Sequence, residues 1–207
     1  MQLLIFDFDG VLADTFADMI RFAQEACDEL RVDHRVIPAD LSGLEVMSFA
    51  AFGRACSVPD GMIGEFVSRC TQKFAAKPTP APLFGGLREV IRELAADNTL
   101  VVVTGNTTGN VQAFLGHHRL GDCFQFVYGV DLPGSKVEKI LMAKQQYGED
   151  EAAVFLIGDS LSDIRAGREA AVTSVAVGWG HQSLDLLQEE KPDLTARSPE
   201  ELLEILS

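Results

Sequence analysis

Cysteine is scarce and scattered in this chain: Cys27, Cys56, Cys70 and Cys123 are the full set, with no CxxC pair and no histidine at ligand spacing. The sequence therefore offers neither a disulfide framework nor a zinc site, and four reduced, mostly buried thiols in a reducing compartment are expected. Basic residues are in short supply too, 17 Lys and Arg against 31 Asp and Glu, for a formal charge of -14. A nucleic acid or an anionic membrane gains nothing from such a surface, so neither is expected as a partner. A small anionic substrate is not excluded, because a bound metal and a few local cations can reverse the potential in one pocket. No apolar run approaches the roughly 18 residues of a membrane span. The opening MQLLIF has no basic flank and no small-residue cleavage site, so a signal peptide is not expected and a soluble cytoplasmic protein is. Internal repeats and low-complexity tracts are absent as well.

What is present is a rhythm. The 207 residues, 47% of them hydrophobic, suit one ordinary core or a core plus a small insertion. Short apolar runs recur: LLIF (3–6), LVVVT (100–104), FQFVYG (124–129), AVFLIGD (153–159) and VTSVAVG (172–178). Their length, β-branching and Gly, Asp or Thr endings predict strands buried on both faces. GLREVIRELAAD, VQAFLGHHRL, KVEKILMAKQQYG and LSDIRAGREAA lie between them with apolar residues at helical spacing. Alternation of this kind predicts an α/β fold: a doubly wound, mostly parallel, Rossmann-like sheet. From Thr15 to about Lys77 no strand is evident, and FADMIRFAQEACDELRV and GMIGEFVSRCTQKFAA read as amphipathic helices. The prolines of KPTPAPLFGG make a stiff return. The expected organisation is a core of 1–14 and 83–207 with a small all-α insertion, 15–82, that includes the Pro-rich linker.

Ligands of open parallel sheets bind beyond the carboxyl ends of the strands, and the polar residues of this chain gather there. Asp7 and Asp9 follow the first strand, Thr104, Gly105 and Asn106 the second, Gly158, Asp159 and Asp163 a later one, and Lys136 opens a helix. Two carboxylates one residue apart repel each other unless a cation shares them. Hard oxygen ligands in small number suit Mg²⁺, which binds through a few carboxylates plus substrate phosphate. A carboxylate can also attack phosphorus to form an aspartyl-phosphate, with Lys136 and Thr104 placed to neutralise the transferring group. Gly10 lets the backbone turn sharply and aim its amides at the phosphate.

DFDGVLADT, VVVTGNT, GSKVEKI and IGDSLSDIRAG resemble the four ordered motifs of the haloacid dehalogenase superfamily. The insertion resembles the helical cap of its phosphoglycolate-phosphatase-like branch, and the likeness spans nearly the whole chain. The resemblance implies Asp7 as nucleophile and Asp9 as the acid/base that protonates the leaving group and later activates water. It implies Thr104 and Lys136 as phosphate-binding groups, with Gly10, Gly105 and Asn106 beside them. It implies Asp7, the backbone carbonyl of Asp9, Asp159 and Asp163 as the Mg²⁺ set, Asp163 directly or through water. Two positions depart from the pattern: Val137 stands where proline often follows the lysine, leaving Lys139 as an alternative to Lys136, and Gly105 replaces a common serine or asparagine.

Other polar residues have plainer readings. Asp7 and Asp9 alone could be loop formers at a strand end, and Asp159 and Asp163 could cap a helix; the ensemble is what favours chemistry. His117 and His118, adjacent on a helix, cannot converge on one ion and read as a surface or helix-end pair. His34 reads as a solvated helix end; His181 could line the rim of the site, with a loop role favoured; Arg54, Arg69 and Lys73 could bind a substrate's distal group, with surface cations the favoured reading. The activity so implied is Mg²⁺-dependent hydrolysis of a small phosphorylated metabolite, phosphoglycolate-like by resemblance, with a cap that closes over the site. A sugar-phosphate mutase, a non-catalytic phosphate-binding scaffold and a dehalogenase are the alternatives, and the oligomeric state is not legible.

Overall fold

The computed structural model describes residues 1–148 and 154–207. Strands β1 (Leu3–Phe6), β2 (Thr99–Val103), β3 (Phe124–Tyr128), β4 (Val154–Gly158), β5 (Thr173–Val177) and β6 (Leu194–Ala196) form one sheet in the order β3-β2-β1-β4-β5-β6. Each pairing is parallel, so the Rossmann-like order expected from the alternation is present. The fourth run was expected to begin at Ala153, which lies outside the described residues. Strand β6 was not expected: LTA is three residues long and only partly buried, too short to give a period.

The side-chain alternation of a strand divides the burial of the sheet between its two faces. Leu4, Phe6, Leu100 and Val102 pack on one face, with Leu87, Ile91 and Leu94 of α5 (Leu87–Asp97), Phe114 of α6 (Thr108–His117) and Leu202 of α10 (Pro199–Leu206). Leu3, Ile5, Val101 and Val103 face the other way, onto Ile140 and Ala143 of α7 (Lys136–Tyr147) and Ala166 of α8 (Leu161–Glu169). Helix α9 (Leu184–Glu189) follows β5. With apolar neighbours on both sides, central strands carry no polar residue until their ends. The chemistry is confined to the rim.

The chain divides into two compact units, Met1–Asp14 with Ala81–Ser207, and Thr15–Pro80. The return to the sheet unit falls at Ala81, two residues before the 83 expected from sequence, because this stretch is pinned within that unit. Asp14 N donates to Pro82 O at 2.9 Å, and His118 Nε2 lies 2.9 Å from Ala81 O. His118 thus holds the helix-end place expected for it, at the C-cap of α6, and is a buried anchor for the linker.

The second unit consists of α1 (Phe16–Glu29), α2 (Pro38–Ser42), α3 (Phe49–Ala55) and α4 (Ile63–Ala75). Phe22, Ala23, Ala26 and Cys27 form the buried stripe of α1, at the i, i+1, i+4, i+5 spacing of one helix face. Its core also holds Leu41, Phe52, Cys56, Phe66 and Cys70, with Phe52 and Phe66 edge to face at 6.4 Å. Helices α2 and α3 were missed in the sequence because five and seven residues span too few turns to show a period.

Candidate active site

The order of the strands reverses about β1, with β2 on one side and β4 on the other. Loops leaving β1 and β4 therefore part at a topological switch point, the usual ligand crevice of such sheets. Asp7 and Asp9 follow β1, and Asp159 follows β4. Asp7 remains tied to the sheet, its backbone N donating to Ile157 O at 2.9 Å. Ser160 N-caps α8, and Asp163 reaches back in the reciprocal capping box. Residues remote in sequence thus converge: carboxylate oxygens of Asp7, Asp159 and Asp163 lie within 4.8 Å of one another. Asp9 is not part of that carboxylate group; its Oδ2 accepts from Asn106 Nδ2 at 3.1 Å.

Lys136 is the cation facing these acids. Its Nζ lies 3.2 Å from Asp7 Oδ1 and donates to Asp163 Oδ1. Of the two candidate lysines it is Lys136, not Lys139, whose ammonium reaches the cluster. Position N1 of α7 places it there, because the Ser135–Glu138 capping box fixes where that helix starts. The charge balance is lopsided. Burial, with Asp163 and Asp9 adding to it, pushes the Asp7 carboxyl up to about 7 despite Lys136 and a Phe8 amide bond. Asp159 is pushed well above the ordinary carboxylate range by burial, then by the charges of Asp163 and Asp7. Burial opposes the charge of Lys136 as well, yet Asp163 and Asp7 hold its ammonium above the usual lysine range. One ammonium does not neutralise three buried carboxylates.

That surplus, on an all-oxygen donor set, fits a hard divalent cation such as Mg²⁺. The neighbourhood is built tightly around Asp159. Its Oδ2 accepts from His181 N at 2.7 Å, and the His181 ring lies with Nδ1 3.4 Å from the same oxygen. Gly10, at φ +81, would drive a Cβ into the Asp159 carboxylate, so both its conformation and its closeness require glycine.

The geometry shows what the other expected site residues touch. The Gly10 amide donates to Ala13 O at 2.9 Å, so it closes a turn instead of facing a phosphate. The side chain of Asn106 is committed: Nδ2 to Asp9, Oδ1 accepting from Thr107 N at 2.8 Å and Asn110 Nδ2 at 3.1 Å. One of its two Nδ2 hydrogens thus holds Asp9. Asn106 N donates to Thr104 Oγ1 at 3.0 Å, which turns that hydroxyl's own proton elsewhere. Gly105 is exposed, and a Cβ there would meet nothing within 4 Å; no close approach requires glycine. His181 lies in a loop, as favoured from sequence, and its side chain, 2% exposed, is packed on Asp159, in keeping with the rim alternative. The only sequence signal was its place after a late strand, in GWGHQS.

The profile of the haloacid dehalogenase-like hydrolases matches residues 4–177. A phosphoglycolate phosphatase of Synechococcus elongatus is 25% identical over 208 residues, covering 100% of this chain and 98% of that protein. An N-acetylmuramic acid 6-phosphate phosphatase of Pseudomonas aeruginosa is 28% identical, covering 100% and 95%. A haloacid dehalogenase-like structure from Streptococcus pneumoniae superposes with TM-score 0.89 at 24% identity, over 100% of this chain and 99% of that one. The chain belongs to the haloacid dehalogenase-like hydrolases. Several of its relatives over most of its length are named phosphatases, phosphoglycolate phosphatases among them.

Proposed function

We propose that this enzyme hydrolyses a small phosphorylated carboxylic acid or sugar through an aspartyl-phosphate on Asp7, with a phosphoglycolate-like substrate favoured. The observation that carries the reading is Asp7 itself: a half-buried carboxylate at a switch point, 3.2 Å from an ammonium and beside two further acids. An Asp7 oxygen attacks phosphorus as the ester P–O bond breaks, and Asp9 gives its proton to the leaving oxygen. Asp9, now ionised, takes a proton from water as that water attacks the phosphoryl group, releasing inorganic phosphate and freeing Asp7. Asn106 holds the Asp9 carboxylate for both transfers. Lys136 offsets the negative charge of Asp7 and the phosphoryl oxygens, and Thr104 donates its hydroxyl to one of those oxygens.

Asp7, Asp159, Asp163 and the Asp9 carbonyl would hold Mg²⁺. A bound ion supplies the positive charge that keeps Asp7 ionised and screens the phosphoryl group. The substrate preference rests on the relatives named as phosphoglycolate phosphatases. A cytoplasmic setting, in keeping with four unpaired cysteines, belongs to the same proposal.

The test is phosphate release from a panel of phosphorylated metabolites that includes phosphoglycolate and N-acetylmuramic acid 6-phosphate, ranked by kcat/KM. Activity is expected with Mg²⁺ and absent with EDTA. Undiminished turnover in EDTA would overturn the metal requirement, and a best substrate without a phosphomonoester would overturn the reaction class.

A further inference from the structure

The second unit holds a cluster that the phosphatase site does not use. His34, Asp40 and Cys56 each offer a ligand atom, and these atoms lie within 4.8 Å of one another. The three come from different elements. His34 sits in the loop after α1, Asp40 in the first turn of α2, and Cys56 at the end of α3.

Local structure fixes each of them. Gln24 of α1 grips the loop on both sides, Nε2 donating to His34 O at 3.1 Å and Oε1 accepting from Val36 N at 2.9 Å. Asp40 Oδ2 accepts from Ile37 N at 2.8 Å, which sets its rotamer. His34 Nε2 lies 2.9 Å from the same oxygen. Cys56 is fully buried and forms the floor, while the His34 and Asp40 side chains are 22% and 15% exposed and form the mouth. Cys27 is fully buried in the same helical core.

We propose that His34, Asp40 and Cys56 form a second metal site, selective for a borderline cation such as Zn²⁺, with water as the fourth ligand. One imidazole, one carboxylate and one sulfur make a zinc-type donor set. Mg²⁺ has no use for it, since that ion takes oxygen ligands in near-octahedral array. The two clusters therefore sort ions by chemistry: oxygen only at Asp7, Asp159 and Asp163, mixed nitrogen, oxygen and sulfur here. An ordinary His–Asp ion pair accounts for two of the three groups. It does not account for a thiol brought within ligand distance of both. A bound ion would clasp α1's following loop, α2 and the end of α3 together, a useful brace for a small helical core. The absence of a CxxC or regular His spacing hid this grouping in the sequence.

Cobalt is the probe, because a thiolate–Co²⁺ bond gives a near-ultraviolet charge-transfer band that an all-oxygen site cannot give. Full-length protein is titrated with Co²⁺ alone in saturating Mg²⁺, which occupies the aspartate cluster. One equivalent with the band is expected, bleached by one equivalent of Zn²⁺, absent in Cys56→Ser and His34→Gln, and retained in Cys123→Ser. Should Cys56→Ser not fold, His34→Gln and Asp40→Asn, at the mouth, give the same reading. No band at stoichiometric Co²⁺, or a band that survives in His34→Gln and Asp40→Asn, overturns the site. The readout is independent of phosphate release, so its failure leaves the proposed reaction untouched, and the reverse also holds.

Discussion

The sheet unit and the helical unit treat their charges in opposite ways. In the helical unit acids and bases meet at the surface in a shared network: Arg69 with Glu29 at 2.6 Å and Glu65 at 2.5 Å, Lys73 with Glu29 at 2.7 Å and Glu25 at 2.9 Å. Its interior is filled by aromatic rings and thiols. In the sheet unit three acids go inside with one lysine, and the match is left incomplete. Paired surface charges contribute little to stability and little to chemistry. Unmatched buried charges strain the fold, and they persist where a ligand completes them. The comparison locates the function: it lies where electrostatic satisfaction is withheld.

The largest effect that bears on this contrast is catalytic. Asp7→Asn is expected to lower kcat/KM by at least ~10³-fold, since nucleophile removal leaves only binding and charge stabilisation. Glu29→Gln in the helical unit is expected to leave it unchanged. Steady-state phosphate release from both variants checks the pair, and equal activity would erase the distinction between the regions.

A smaller effect concerns His181, which supports Asp159 without belonging to the acid cluster. His181→Ala removes the ring beside Asp159 but keeps the backbone N–H bond to it, and is expected to weaken Mg²⁺ activation by about 10-fold. The apparent Mg²⁺ constant should rise while kcat at saturating Mg²⁺ changes far less. A fall in kcat with an unaltered Mg²⁺ constant would place His181 outside the metal's support.

The strain can also be read as stability. Asp7 has a folded-state pKa raised from 3.8 to about 7, so between those values the folded protein holds more protons than the unfolded chain. Stability then falls as pH rises through that window. In EDTA, Asp7→Asn is expected to be no more stable than wild type below pH 3.8, and to gain on it up to about pH 7, by of order a few kcal/mol at most. Urea unfolding at several pH values measures the difference; a constant gap would mean that Asp7 is not strained. At the small end, Arg69→Ala should move the Tm by about 2 °C or less, because its partners are exposed. A larger drop would show that the surface pairs matter more than this contrast allows.

Much of this was readable before any coordinates. LLIF, LVVVT and the later runs were legible because a strand buried on both faces must be apolar throughout, and Asp7, Asp9, Asp159 and Asp163 stood out because they interrupt that rule at strand ends. The partners that aim them were not legible. Asn106 was assigned to phosphate because Gly105 stands where serine or asparagine is common, and only the fold turns its amide onto Asp9. The position of His181 depends on how the loop after β5 returns past Asp159, and no spacing encodes that return. His34, read as a solvated helix end, is drawn to Asp40 by a loop that Gln24 holds. Periodicity reports burial, but not which polar groups a loop brings together.

Asp7 as the phosphoryl acceptor is best tested by trapping. The enzyme, mixed with its best phosphomonoester and Mg²⁺, is quenched in acid and reduced with borohydride, which converts an aspartyl-phosphate to homoserine, and peptides are then mapped by mass spectrometry. Homoserine at position 7 is the predicted result. Homoserine at another position, or at none while phosphate is steadily released, contradicts the account.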